Sequence, residues 1–342
     1  MQTTPKHILA IRFSALGDIA MIVPVLKNVL AQNPALQITF VSTNFVKPFF
    51  ENIDRLHFVG INLKLYNGIF GLYKLSKFLK KNIAFDAIAD LHNVLRTKII
   101  RQFCASKNTA VLDKGRKEKQ ALTRAKNKVF ISLKPMVERY ADVFRKIHCT
   151  VILNEKIGFS YLQPKIELLP FKKAGNEKLI GIAPFAKHNA KMYPIKKMEN
   201  VVQLLLMNAS NKLFLFAAAN ELELLGSEFL NQPNFYIITG KYSFADELNI
   251  ISQLDVMVSM DSANMHLASL YNVPVVSIWG GTHAYAGFGG WAQSNTNMVQ
   301  INMPCRPSSV FGNKLCPVHG AAGCMQNITP AMVVEKVQQV LG

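Results

Sequence analysis

Long apolar runs are missing from this chain: no stretch approaches the roughly 18 residues that a membrane-spanning helix needs. Near the start, Lys6 is followed only by Ile8 to Ile11 before Arg12, too short an apolar segment for a signal peptide. Cysteine is scarce and odd in number, five among 342 residues, which argues against a disulfide framework. Cys305, Cys316 and Cys324, with His319 between the last two, have no standard zinc spacing. The turn after the first strand pattern carries a single glycine, Gly17, where a dinucleotide fingerprint needs three. No acidic pair is set out for Mg²⁺. These absences leave a folded cytoplasmic protein without a metal or cofactor as the expectation.

Acidic residues are the other shortage, 21 Asp and Glu against 39 Lys and Arg, a net charge of +18. The imbalance is local. Residues 1–171 hold 27 basic against 11 acidic residues, a balance of +16, and residues 172–342 hold 12 against 10, a balance of +2. A strongly basic half is suited to nucleic acid, to an anionic membrane face or to a phosphorylated acceptor, and composition does not choose among them. Half of the residues are hydrophobic, as in a folded protein, and the length implies two domains of about 150 residues each.

What is present is an alternation of strands and helices. Residues 7–13, Gln37–Ser42, Leu56–Gly60 and Asp86–Leu91 read as strands. Pro24 kinks the first helix or marks a second start within it, residues 69–81 form a basic amphipathic helix, and a helix runs through Arg101. Residues 113–134, with eight Lys and Arg against Asp113 and Glu118, read as an exposed basic loop with about one helical turn. Gly, Pro and Asn interrupt the pattern from about 150 to 178, as in a linker. A second series then begins, with strands at Leu179–Ala183, Lys212–Ala217, Asn234–Ile238, Asp255–Met260 and Pro274–Trp279, and a final helix Pro330–Leu341 capped by Thr329. The fold class is α/β: two Rossmann-like domains facing a central cleft, with ligands at the C-terminal edges of the sheets. The expected boundaries are 1–165, 176–328 and a C-terminal helix 329–342 packing back toward the N-terminal domain.

Chemistry-bearing residues fall at strand ends. In Arg12-Phe13-Ser14-Ala15-Leu16-Gly17-Asp18, Asp18 is either the cap of the following helix or a carboxylate able to take a proton from a hydroxyl. Asp261-Ser262-Ala263-Asn264-Met265-His266 joins an apolar strand to a helix through small and polar residues, so backbone N–H groups can approach an anion closely. Gly280-Gly281-Thr282-His283 repeats that logic after the next strand. Lys191 follows the first strand of the second half as a candidate phosphate partner. Glu221, after the next strand, is either a ribose ligand or a favourable first-turn charge. In the basic half His92, Arg96 and Lys98 follow a strand end at Asp90 and, with Ser14, form a candidate site for an anionic acceptor.

The first turn with Pro24, and Asp261 to Ala268 with Pro274 and Gly280-Gly281-Thr282, resemble the two motifs of glycosyltransferase family 9, the ADP-heptose:lipopolysaccharide heptosyltransferases. The resemblance covers about residues 6–341. It implies a GT-B fold with a basic N-terminal domain for the acceptor and a C-terminal domain for the nucleotide sugar. It implies inverting, metal-independent transfer of a heptose from ADP-heptose to a phosphorylated lipid A-core acceptor at the cytoplasmic face of the inner membrane, with no nucleic acid partner. Asp18 matches the general base, and Lys191, before Met192-Tyr193-Pro194, matches a lysine that contacts the donor phosphates. Glu221 matches a ribose ligand. Asp261, with Ser262, Ala263, Asn264, His266, Gly281 and Thr282, matches the sugar and pyrophosphate site. The sequence departs from the family at Ser262-Ala263, commonly Thr-Gly, at Gly281, commonly Pro, and at His283, often acidic. The alternatives are a sugar-nucleotide epimerase or hydrolase on the same fold, and a non-catalytic nucleic-acid-binding protein.

Overall fold

Short aliphatic runs become the strands, and each is followed by a helix that returns the chain to the same sheet edge. In the computed structural model, which describes residues 4–172, 175–226, 230–320 and 323–342, the chain divides into two units. One comprises Met1–Gly115 and Lys134–Phe159, the other Arg116–Leu133 and Ser160–Gly342.

The first unit holds β1 (His7–Ile11), β2 (Gln37–Ser42), β3 (Leu56–Gly60), β4 (Ala87–Asp90) and β5 (Asn108–Val111) in the order β3-β2-β1-β4-β5. All neighbours are parallel, and Ile11 lies beside both Val41 and Asp90. The second unit holds β6 (Lys178–Ala183), β7 (Asn211–Leu215), β8 (Phe235–Ile237), β9 (Val256–Met260), β10 (Val275–Trp279) and β11 (Met298–Gln300) in the order β11-β10-β9-β6-β7-β8. Its neighbours are parallel too. Parallel strands need crossovers, and the crossover helices run against the strands, so helix N-termini gather at the strands' C-terminal edge. The α/β expectation holds for both halves. β5 and β11 were not foreseen: Asn-Thr-Ala-Val is half polar, and β11 is a three-residue edge strand.

Two sequence expectations change. The helix Leu16–Gln32 is continuous through Pro24. The basic stretch read as a loop with about one helical turn contains the helix Arg116–Thr123, and this segment belongs to the second unit, where Leu122 and Leu133 are buried with Ala286. The final helix Pro330–Leu341, expected from the sequence, places Val333, Val334 and Val337 in the second unit's core with Met198 and Val202. Positions 333, 334 and 337 share one face of the helix, which buries them together.

Residues 150–154, read as the start of a linker, are tied to the helix Leu16–Gln32 by side-chain amides acting as a substitute strand edge. Asn33 donates to Thr150 O (2.8 Å) and accepts from Thr150 N (3.1 Å). Gln32 does the same with Ile152, at 2.7 and 2.9 Å, and Asn28 with Asn154, at 3.1 and 2.8 Å. Each amide thus satisfies one backbone donor and one acceptor on alternate residues. Asn28 is fully buried, so Asn28→Ala strands the polar groups of Asn154 and should destabilise the protein by about 2 kcal/mol. Urea melts measure this, and a loss below about 0.5 kcal/mol would show that the ladder contributes little.

Candidate active site

In the first unit the site begins where β1 ends. Arg12 is buried there, and its Nη1 donates to Leu91 O at 2.5 Å. Its Nη2 pairs with Asp18 Oδ2 at 2.8 Å, and the guanidinium lies over the Tyr140 ring, 5.4 Å from its centroid. Tyr140 in turn donates its hydroxyl to Asp18 Oδ1 at 2.9 Å. Asp18 is not the helix cap: Ala15 holds that position and Asp18 is the third helical residue, its Oδ2 accepting from Ala15 N at 3.4 Å. Both carboxylate oxygens are therefore held, yet the side chain remains 25% exposed. Burial and the adjacent Asp18 carboxylate push the Tyr140 hydroxyl well above its ordinary range, so it stays a proton donor to Asp18.

His92 completes this edge. Asp90, wholly buried, accepts from His92 N (3.1 Å) and Asn93 N (2.7 Å) through Oδ1 and pairs with Arg101 through Oδ2 at 2.9 Å. The His92 ring takes Phe13 N–H on Nδ1 (3.5 Å) and sets Nε2 3.4 Å from Ser14 Oγ. Burial, then the cations Arg12, Lys114 and Arg96, outweigh Asp18 and bring its pKa down to about 4. Ser14, Asp18 and His92 thus meet at one strand edge. Arg96 and Lys98 stand exposed in the first turn of the helix Leu95–Cys104 that leaves it.

The second unit builds a different site from the same architecture. Asp261 follows β9 and is buried; its Oδ2 pairs with Lys191 Nζ at 2.8 Å and accepts from Thr282 Oγ1 at 2.8 Å. Three segments expected to bind one ligand are joined by that oxygen. Ser262, not Asp261, is the N-cap of the helix Ala263–Leu270, and its side chain makes no capping bond. The first-turn N–H groups, of Ala263 and Asn264 among others, thus receive no bond from the cap side chain. His266 is buried in that turn.

The double glycine is required by close packing. A Cβ on Gly280 would stand 2.7 Å from Met325 Cε and 3.0 Å from Ala190 O, and Gly281 donates to Ala190 O at 2.9 Å. The stem of Lys191 is covered by Gly312, whose φ is +76° and where a Cβ would stand 2.6 Å from Lys191 Cγ. A cavity of about 320 Å³ lies alongside, lined by Lys187, His188, Asn189, Ala190 and Asn313. Glu221 has its carboxylate turned to its own backbone, accepting from Ala218 N at 2.7 Å. Among the described residues, no group of three or more His, Cys, Asp or Glu is arranged to hold a metal ion. No helix among them is long and apolar enough to cross a membrane.

The pattern reading missed Tyr140 and Arg306. Arg306 is buried and donates to Gly280 O (2.5 Å), Trp279 O (3.2 Å), Thr282 O (3.0 Å), Ile301 O and Gln300 Oε1 (3.1 Å). It thereby fixes the turn that carries Thr282. Nothing local in Cys305-Arg306-Pro307 marks it. His283, whose Nδ1 accepts from Tyr285 N at 3.1 Å, is brought down to about 4 by burial and by Arg306 and Lys128.

The family model for glycosyltransferase family 9 (heptosyltransferase) matches residues 72–319. The chain belongs to that family. Among curated proteins, lipooligosaccharide heptosyltransferase 2 of Campylobacter jejuni is 25% identical over 178 residues, 50% of this chain; the match spans about half the length of that relative, 54%. Lipooligosaccharide heptosyltransferase 2 of Haemophilus influenzae is 25% identical over 357 residues, 98% of this chain and 99% of that protein. Among solved structures, the Escherichia coli ADP-heptose LPS heptosyltransferase II superposes with a TM-score of 0.69 at 17% identity, covering 98% of each chain. That likeness shows the fold. This family 9 glycosyltransferase is built from the two Rossmann-like units of the GT-B class.

His92 and His283 both bind protons less readily folded than unfolded. As pH falls from about 6.5 to about 4, the unfolded chain takes up protons that the folded chain refuses, so stability declines across that window and not above it. Imidazole NMR titration of the folded enzyme should give both midpoints near pH 4. Midpoints above about 6, the ordinary range, would refute the role of burial.

Proposed function

We propose that this enzyme transfers a heptose from ADP-heptose to the inner core of a lipopolysaccharide, or to a related phosphorylated glycolipid, with inversion and without a metal ion. The names of the relatives support the sugar and the pathway, lipooligosaccharide heptosyltransferase 2 for two of them and ADP-heptose LPS heptosyltransferase II for the third. The observation that carries the mechanism is the partly exposed Asp18 carboxylate, held by Arg12 and Tyr140. In this reading the first unit binds the acceptor. Asp18 takes the proton of the acceptor hydroxyl as its oxygen attacks the anomeric carbon. The bond from that carbon to the diphosphate breaks on the opposite face, and ADP leaves.

The second unit receives the charge that develops on the leaving group. Lys191 Nζ has three N–H groups, one of which is directed to Asp261, so two are available to diphosphate oxygens. The helix N-terminus after Ser262 adds fixed N–H donors, and a preorganised site of this kind supplies the positive charge a metal would otherwise bring. Asp261 Oδ1 accepts from the sugar hydroxyls, and Glu221 binds the ribose. Ser14, His92, Arg96 and Lys98 hold the acceptor. The three cations beside His92, Arg12, Lys114 and Arg96, suit a phosphorylated acceptor.

Asp18→Asn should leave ADP binding unchanged in calorimetry and lower turnover by a factor of about 10² or more; a variant with near-normal rate would mean that another group is the base. Lys191→Ala should weaken ADP binding and turnover together. Unchanged values for both would remove Lys191 from the donor site. Incubation with EDTA should leave the rate unaltered, and loss restored by added metal would overturn the metal-independent mechanism. Release of ADP at full rate without acceptor would favour a hydrolase.

A further inference from the structure

The helices Gly68–Asn82 and Leu95–Cys104 of the first unit pack on one another. Ser76 Oγ donates to Ile100 O at 3.3 Å, and the Tyr73 and Phe103 rings meet edge to face at 5.0 Å. Their inner sides, Leu72, Leu75, Leu79, Ile100 and Cys104, are buried with β1 and β4 residues. Their outer sides are unusual in two respects. Neither helix contains an Asp or Glu, and Lys74, Lys77, Lys80, Lys81, Arg96 and Lys98 are all exposed. Large apolar side chains also project from this surface: Phe70 is 84% exposed, Leu95 74%, Leu65 73% and Ile69 64%.

These four residues are not scattered. They stand at the beginnings of the two helices or in the turn before them, and in a parallel sheet those beginnings lie at the C-terminal edge of the strands. That is the edge where Arg12, Asp18 and His92 gather. Single exposed apolar residues are ordinary, but a group of this size at one edge, ringed by cations, is the pattern of an interfacial surface.

We propose that this face docks on an anionic lipid bilayer, with Leu65, Ile69, Phe70 and Leu95 entering the interface and the surrounding lysines and arginines meeting the lipid headgroups. A second copy of the chain would set like charge against like charge. A nucleic acid would match the cations but leave the apolar tips in water. An anionic bilayer satisfies both. The inference deepens the proposed function, and rests on it only in that a membrane-embedded acceptor would then arrive beside the Asp18 edge.

Co-sedimentation of the full chain with vesicles tests it. The protein should pellet with phosphatidylcholine vesicles containing about 30% phosphatidylglycerol, not with phosphatidylcholine alone, and should be released at about 0.5 M salt. Phe70→Glu combined with Leu95→Glu should reduce binding at least about tenfold, and Leu65→Gln with Ile69→Gln should reduce it less. Both pairs lie at exposed positions, and circular dichroism melts confirm that they fold. Transfer to an acceptor embedded in the same vesicles should fall with binding, while transfer to its water-soluble deacylated form should not. Absence of anionic-vesicle binding, undiminished binding by both double variants, or a dimer of the unaltered chain that Phe70→Glu abolishes would each overturn the proposal. Vesicle binding that behaves as expected, with no transfer to either acceptor, would uphold the surface and sink the heptosyl reading instead.

Discussion

Burying a guanidinium costs several kcal/mol unless its N–H groups find acceptors, and both units of this enzyme place one at the C-terminal edge of a parallel sheet. That edge has an excess of main-chain carbonyls where strands end and chains turn away. Arg12 answers Leu91 O and the Asp18 carboxylate, and Arg306 answers the carbonyls of Trp279, Gly280 and Thr282. The loops that carry the site residues are shaped around these two cations. Because they are already committed to protein acceptors, they act on ligands mainly through their fields. The histidines show one result: burial first, and then these cations, keep His92 beside Arg12 and His283 beside Arg306 neutral at pH 7.

Two aspartates with superficially similar settings are made to differ by this arrangement. Asp18 shares its charge between Arg12 and Tyr140 but keeps a quarter of its side chain accessible, as a group that must meet an incoming hydroxyl requires. Asp261 is only 5% exposed and directs one oxygen to both Lys191 and Thr282. A carboxylate so enclosed is suited to orienting a bound sugar through its other oxygen. In the proposed reaction this separates proton removal from leaving-group stabilisation, and each half of the chemistry has its own sheet edge.

The sequence made the strands legible because a strand buried on both faces is a short continuous apolar run, as in Ile8–Ile11 and Val256–Met260. It drew attention to Asp261 because that acidic residue directly follows such a run, and to Asp18 because it opens the helix after the first strand's turn. Tyr140 and Arg306 escaped because their roles depend on partners 122 and about 25 residues away, which no local pattern encodes. The amides of Asn28, Gln32 and Asn33 escaped for the same reason. On a helical wheel they are ordinary polar residues, and only the return of 150–154 to that helix turns them into a surrogate strand edge. In the basic stretch 113–134 the helix exceeds the single turn expected, because charge density hid the apolar residue Leu122, which anchors it.

The surplus of positive charge in the first 171 residues is therefore composed of unlike parts. Arg12, Arg55 and Arg101 are occupied by protein acceptors: Arg55, for example, donates to the carbonyls of Leu30, Asn33, Pro34 and Leu36, closing the end of the first helix. Lys128 is likewise consumed by the carbonyls of Pro304, Cys305 and Pro307 in the second unit. Six more, Lys74, Lys77, Lys80, Lys81, Arg96 and Lys98, stand exposed on the helices Gly68–Asn82 and Leu95–Cys104, which contain no carboxylate. Charge left exposed on one face raises the local concentration of anions and steers their approach. It does nothing for the stability of the sheet beneath, which rests on Leu72, Leu75, Leu79 and Ile100. In the proposed docking, the exposed cations and apolar side chains of this face meet a bilayer, beside the strand edge that carries Asp18 and His92.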